Sequence, residues 1–265
     1  MIDAERQAVY SGVWEGGLSC YDYAANEARW HRADLFGIQK VEVSPAFPSS
    51  LFVTLETPDY RVDERGAFTG VMELDVATGM TKWQMSDADY AFVHPTRAIL
   101  VLVDEGEEVV RVLDGSRRLR GSTEMTYFAV VDIAFSHAVM SLAEGKEGVR
   151  VVDFDGKVLA THKPRSREMN CIQAAFIGRT DTVAVVDKWE STFMTILDGD
   201  GRVVTEYERT NHLDICFISQ GTRFLDQEGM VFGTGNGALI ARLPGAAESP
   251  SAPPTGPIAP IELPS

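Results

Sequence analysis

The 265-residue sequence predicts an all-β protein, a six-bladed β-propeller of four-stranded antiparallel blades, and two periodic signals predict it. The first is a hairpin. ELDVATGMTKW, Glu73 to Trp83, alternates apolar residues up to Asp75, turns through small residues ending at Gly79, and alternates again to Trp83. CYDYAANEARW, Cys20 to Trp30, repeats the figure with Asp22 and Trp30 at the same spacing; VLDGSRRL, VVDFDGKVL, ILDGDGRVV and FGTGNGALI are weaker copies on Asp114, Asp153, Asp198 and Thr234. The second signal is an apolar run closing on a phenylalanine, followed by a turn and an apolar strand. Phe47, Phe92, Phe135, Phe176 and Phe217 mark it at intervals of about 41 to 45 residues. Four short strands in a period near forty is the signature of a propeller blade.

In chain order, blade 1 covers about 1–36, opens on a turn and lacks its first strand. Blade 2, about 37–85, is lengthened by ETPDYRVDERGAFTG, Glu56 to Gly70, between its second and third strands. The remaining blades fall at about 86–122, 123–164, 165–210 and 211–243. Trp30 and Trp83 are expected to be largely buried between blades. Counting the same eight residues on from the later hairpin aspartates puts Ser122, Thr161 and Glu206 in the Trp place. Residues 244–257 are a Pro-rich linker. IAPIELPS follows, and its alternation at Ile258 to Leu263 predicts the innermost strand of blade 1, with Leu263 in the place of Phe47. That pairing of the N- and C-terminal segments would close the ring, and Pro260 is tolerable there because an innermost strand is an edge strand.

With these repeats in view, ELDVATGMTKW and YDYAANEARW resemble the repeat of quinoprotein-type β-propellers, and the Phe-turn-strand runs resemble the matching part of WD40-like propellers. The resemblance implies architecture. It carries over no quinone-binding set, and no cofactor is assigned.

Composition narrows the function classes. A formal net charge of −15 repels nucleic-acid phosphates and anionic membrane surfaces, and leaves a basic partner as the complementary one. Cys20, Cys171 and Cys216 are odd in number and each lies in an apolar run, which reads as free thiols in a reducing compartment. The N-terminus is polar and no apolar run reaches a membrane span, so a cytoplasmic protein is expected.

No catalytic motif stands out. The doublets Asp153/Asp155 and Asp198/Asp200 are read as hairpin turns rather than calcium loops, since the third acidic position and the closing Glu are missing. No metal-ligand pairing of histidines and no GxSxG elbow occurs; His94 and His137 are read as turn residues. The loops joining strands 2–3 and strands 4–1 leave one face of a propeller, and here they are the richer set. Asp59, Tyr60 and Arg61 of the insertion, Lys188 and Trp189, and His212 are the candidate binding residues, because aromatic and Arg side chains on loops make contact hot spots. The expected function is a non-enzymatic scaffold binding a protein or peptide on that face. The alternative is a metal-dependent propeller enzyme of lactonase-like or lyase-like type, with Asp87, Asp89, Asn170, Asn211, His212 and Asp214 converging at the channel mouth.

Overall fold

The computed structural model describes residues 1–13, 17–56, 68–124, 130–133, 137–141, 148–162, 172–177, 180–188, 192–209, 215–218, 223–226, 230–233 and 239–242. Among these there is no helix; twenty-four strands form six antiparallel sheets of four. The chain divides into two units, 1–124 and 125–265.

The first unit holds three sheets. Sheet one is β1 (Ile2–Asp3), β2 (Ala8–Val13), β3 (Gly17–Asp22) and β4 (Glu27–Arg32). Sheet two is β5 (Ile38–Val43), β6 (Ser50–Leu55), β7 (Gly70–Asp75) and β8 (Thr81–Met85). Sheet three is β9 (Tyr90–Val93), β10 (Ile99–Asp104), β11 (Val109–Asp114) and β12 (Leu119–Glu124). Each sheet pairs its strands in chain order. β6 and β10 are apolar almost throughout and buried at every residue, as expected of strands covered on both faces. In β6, Leu51, Val53 and Leu55 join Ala8, Tyr10, Leu18 and Cys20 of sheet one, while Phe52 joins Leu100 and Leu102 of sheet three. One strand thus serves two interfaces through its two-residue period. The fourth strands, β4, β8 and β12, alternate exposed and half-buried residues instead.

Sheet one carries a fourth strand that the sequence does not announce. Ile2 and Asp3 pair with Val9 and Ala8, and Met1 exchanges bonds with Tyr10: Tyr10 N–H donates to the Met1 carbonyl (2.9 Å) and the terminal amine to the Tyr10 carbonyl (3.0 Å). Ala4 to Gln7 then make the turn that Phe47 occupies in sheet two. The inner edge of β2 at Ser11 to Val13 is left exposed.

The hairpin aspartate has one job in sheets one to five. Its Oδ1 accepts the N–H of Ala24 and Ala25 in Asp22, of Ala77 and Thr78 in Asp75, of Ser116 and Arg118 in Asp114, of Asp155 and Lys157 in Asp153, and of Asp200 and Arg202 in Asp198. These are Asx-type turns. The capped positions show that sheets three to five turn one residue earlier than sheets one and two. In sheets one and two the residue two before Asp faces Trp30 and Trp83; in the shorter hairpins it faces Gly121, Ala160 and Thr205. The Trp place is therefore taken by these three, one residue earlier than Ser122, Thr161 and Glu206. In sheet six Val231 faces Ala241, which puts Gly233 rather than Thr234 in the Asp place.

Trp30 and Trp83 are half-buried rather than buried. Trp30 lies against the next hairpin: its Nε1–H donates to the Val76 carbonyl (3.0 Å), and a Cβ added at Gly79 would sit 2.8 Å from its ring. Gly79 has φ +71°, so both backbone and space require glycine there. Arg32 adds a bond from its guanidinium to the Gly79 carbonyl (2.7 Å).

The second unit holds β13 (Val130–Ile133), β14 (His137–Ser141), β15 (Val149–Asp153) and β16 (Val158–His162) in sheet four. Sheet five is β17 (Ile172–Phe176), β18 (Val183–Lys188), β19 (Thr192–Leu197) and β20 (Val203–Arg209); sheet six is β21 (Ile215–Ile218), β22 (Arg223–Asp226), β23 (Met230–Gly233) and β24 (Leu239–Arg242). Val149 and Val151 pack with Ala174, Phe176, Val183, Val185 and Leu197, joining sheets four and five. The Trp30–Gly79 contact recurs in miniature, since a Cβ at Gly201 would lie 2.0 Å from Cβ of Ala160.

Cys20 is a buried free thiol; Cys171 lies outside the described residues. His94 is fully buried and works as a turn cap, its Nδ1 accepting the N–H of Thr96 (3.1 Å) and Arg97 (2.9 Å). Residues 243–265, including the expected strand 258–263, lie outside the described residues.

Candidate functional site

Strand order fixes which loops share an end. In a sheet ordered 1-2-3-4 the connection between strands 2 and 3 leaves opposite the two hairpin turns, and the link from strand 4 to the next sheet leaves beside it. In the first unit this loop end carries residues 33–37, Glu56, 86–89 and 105–108.

At the base of the insertion, the Glu56 N–H donates to the Gly37 carbonyl (2.8 Å). The two chains approach so closely that a Cβ at Gly37, where φ is +63°, would fall 1.4 Å from the Glu56 carbonyl oxygen. Only glycine permits that crossing. It sets the Glu56 carboxylate beside the start of β5, where the Gln39 amide donates to it. In sheet three, Asp89 N–H donates to the Val103 carbonyl (2.7 Å), and Asp89 Oδ2 accepts the Glu105 N–H (2.6 Å).

These bonds gather like charges. Burial pushes the Glu105 carboxyl up from its usual range, and the Asp89 and Glu56 carboxylates push it further. The Tyr90 phenol is raised by burial and then by Glu105, Glu56 and Asp89. Glu56 and Asp89 therefore both act on Glu105, and all three on Tyr90; among the described residues no basic side chain forms an ion pair with Glu56, Asp89 or Glu105. Asp104 is different: it is buried, its Oδ2 takes Arg111 (2.8 Å), and its Oδ1 caps the Glu107 N–H (2.9 Å). Arg111 also donates to the Asp87 carbonyl (2.9 Å), which pins the 86–89 loop and leaves Asp87, Glu107 and Glu108 exposed. Such a surface attracts cations, and an arriving cation draws the Glu105 carboxyl back toward its ordinary range.

Of the residues singled out in the sequence, Asp59, Tyr60, Arg61, Trp189 and His212 lie outside the described residues, as do Asn170, Asn211 and Asp214. Lys188 ends β18 opposite Thr192, at the loop end of sheet five. Asp87 and Asp89 stand on the loop end, with Asp89 engaged by a backbone N–H. Among the described residues no group of three or more His, Cys, Asp or Glu side chains has the arrangement of a metal site. Sequence reasoning missed Glu105, Glu107 and Glu108; the signal was present as DEGEE, a run of acids at a strand 2–3 turn.

No protein-family model matches the chain, and no curated protein does. Solved structures do. A computationally designed protein, Ika8, is 13% identical with a TM-score of 0.62, over 89% of this chain and 71% of that one. The β-propeller domain of Cps50 (Swd1) from Myceliophteria thermophila is 12% identical with a TM-score of 0.60, over 92% of this chain and 84% of that one. The WD40 domain of Toxoplasma gondii coronin is 13% identical with a TM-score of 0.59, over 89% and 66%. At these identities the likeness is one of fold alone: the chain resembles β-propellers of the WD40 kind in architecture. No helix among the described residues is long and apolar enough to cross a membrane.

Proposed function

We propose that the chain is a non-enzymatic propeller scaffold whose loop face binds a basic segment of a protein or peptide partner in the cytoplasm. The crowding of Glu56, Asp89 and Glu105 around Tyr90, without a counter-cation among the described residues, carries this reading. The Glu56 and Asp89 carboxylates are held by an amide and a backbone donor, so a Lys or Arg side chain meets two oriented acceptors beside Glu105. Asp59, Tyr60, Arg61, Lys188, Trp189 and His212 are assigned to the same face as its outer contacts. In this reading the six sheets form one six-bladed ring, closed by residues 258–263 on the first sheet. The pairing of Ile2–Asp3 moves the place for that tail: it adds along Ser11 to Val13, ahead of Met1, and not with Leu263 in the Phe47 turn.

The test is selection from a random dodecapeptide library on the wild-type protein and on an Asp87→Asn/Asp89→Asn/Glu105→Gln variant. Lys- and Arg-rich peptides are expected on the wild type, with binding weakened about tenfold or more on the variant. Recovery of neutral or acidic peptides alone, bound equally by both, would overturn the reading.

A further inference from the structure

The repeat supplies its own control at the seam where the outermost strand of one sheet meets the hairpin of the next. Between sheets one and two a large residue meets a long hairpin. Trp30 lies against the six-residue turn Asp75–Met80, which the Asp75 N–H closes on the Met80 carbonyl (2.8 Å). The residue after the Asp, Val76, takes the Trp30 indole N–H on its carbonyl and packs against the same core, and Gly79 closes on the ring. Between sheets four and five a small residue meets a short hairpin: Ala160 lies against Gly201 of the five-residue turn Asp198–Arg202. Both contacts are closed. Between sheets two and three the sizes do not match, since Trp83 stands beside the five-residue turn Asp114–Arg118.

The mismatch leaves an open cleft of about 680 Å³ between Trp83 and that turn, in the size range of ligand sites. Gly115 holds the place of Val76, so the aliphatic side chain is missing. Its carbonyl accepts a guanidinium N–H of Arg117 (2.5 Å) instead of an indole N–H. Arg117 is otherwise spent on buried Glu73, donating to Oε2 at 2.7 and 2.5 Å while it lies 4.8 Å over the Phe47 ring. The remaining polar groups are engaged as well. Lys82 Nζ is 2.9 Å from the hydroxyls of Ser49 and Ser50 and 3.5 Å from Glu73, and the Ser116 N–H and hydroxyl both donate to Asp114. Two features stay open. One is half-buried Trp83 beside exposed Pro48; the other is the Trp83 indole N–H, which has no hydrogen-bond partner among the described residues and is not closed off from solvent.

We propose that this cleft binds an extended, uncharged segment of a partner protein, which gives Trp83 what the hairpin of sheet two gives Trp30. The segment supplies a backbone carbonyl to the indole N–H and lays an aliphatic side chain, of the size of Val or Pro, on the ring. The occupant is peptide because main chain fills the sister seam at Val76. It is uncharged because each cation and carboxylate lining the cleft is already paired, so a further charge would lose its water for no partner. The cleft lies at the hairpin end of the sheets, opposite the acidic loop face, and it stands independently of the loop-face reading.

The test fills the cleft from within. A competitor protein carries DVATGM (75–80) in place of DGSRR (114–118), with Glu73→Val because Arg117 leaves in the exchange. A phage-displayed heptapeptide library is selected on the wild type with excess soluble competitor, which removes peptides that bind the loop face. Val, Ile, Leu or Pro, without an excess of charged residues, is expected to enrich. Affinity for a synthetic winner is expected to hold between about 50 and 500 mM salt. It is expected to fall about tenfold with Trp83→Phe, which keeps a ring and loses the N–H. In heteronuclear NMR spectra of the tryptophan-labelled protein, the peptide is expected to move the Trp83 indole N–H signal, identified by its absence from Trp83→Phe, and to leave that of Trp30 in place. No sequence preferring the wild type, winners released by salt, or an unmoved Trp83 signal would overturn the proposal. Should the exchanged hairpin fail to fold, Ser116→Trp, at an exposed residue of the cleft wall, serves as competitor with the same expected and contrary results.

Discussion

Trp30→Ala removes one contact across the interface of sheets one and two. A fully buried aromatic ring removes up to about 250 Å² from water. Trp30 is half-buried, so roughly 120 Å² is at stake, about 3 kcal/mol at 25 cal/mol per Å². Losing the Nε1–H bond to the Val76 carbonyl adds about 1 kcal/mol. Area figures of this kind are upper values, so the expected loss is about 2–4 kcal/mol. Urea unfolding followed by far-UV circular dichroism reads it as a drop of about 1–2 M in midpoint, with the slope unchanged. A second arm tests the geometry. Gly79→Ala places a methyl 2.8 Å from the Trp30 ring at φ +71°, so in the wild type it combines a clash with backbone strain. In the Trp30→Ala background the clash is gone and only the strain of about 1–2 kcal/mol remains. The two substitutions should therefore be non-additive by about 1 kcal/mol. An unchanged midpoint for Trp30→Ala, or strict additivity, would refute the packing assigned to this hairpin.

Gly201→Ala should destabilise by about 2–4 kcal/mol, because its methyl would overlap Ala160 at an already left-handed residue; a thermal melt matching the wild type would contradict that contact. Glu42 bridges from β5 to β9, accepting the Val93 N–H (3.2 Å), and burial raises its carboxyl above the usual range although Lys40 opposes the shift. The folded chain thus holds this proton more tightly than the unfolded chain does. Wild-type stability is drained as pH climbs from about 4.5 through the raised value, and Glu42→Gln should gain relative to wild type from pH 4 to pH 7. Urea midpoints that keep a constant difference across that range would count against the assignment. Truncation after Leu243 should lower the melting temperature clearly and expose the Ser11 to Val13 edge to hydrogen exchange; an unchanged melt would remove the tail from the proposed ring.

Architecture was legible because its signals are local. The apolar alternation, the hairpin Asp and the positive-φ glycine lie within about a dozen residues of one another, and each specifies a turn or a strand face. Constant-spacing reasoning failed where the hairpins shorten by one residue, since a single deletion moves Gly121, Ala160 and Thr205 into the Trp place. A two-residue strand such as Ile2–Asp3 carries too little pattern to be seen. The half-burial of Trp30 and Trp83 reflects their place on outermost strands, which have no further strand to cover them. The candidate sites were less legible, because they depend on residues brought together from different sheets. Glu73 and Arg117 are 44 positions apart and belong to the hairpins of different sheets. Glu56 acts on Glu105 from a different sheet, and Gly37 is what lets the chain pass the Glu56 backbone at the base of the insertion.

Hydrogen exchange of the intact protein, with and without a Lys/Arg-rich dodecapeptide recovered from the library, tests the loop-face binding most directly. Slowed exchange is predicted at 33–37, 56–70, 86–90 and 105–108, and absent from the hairpin turns at 76–80 and 115–118. Protection confined to those turns, or spread evenly over the sheets, would contradict it.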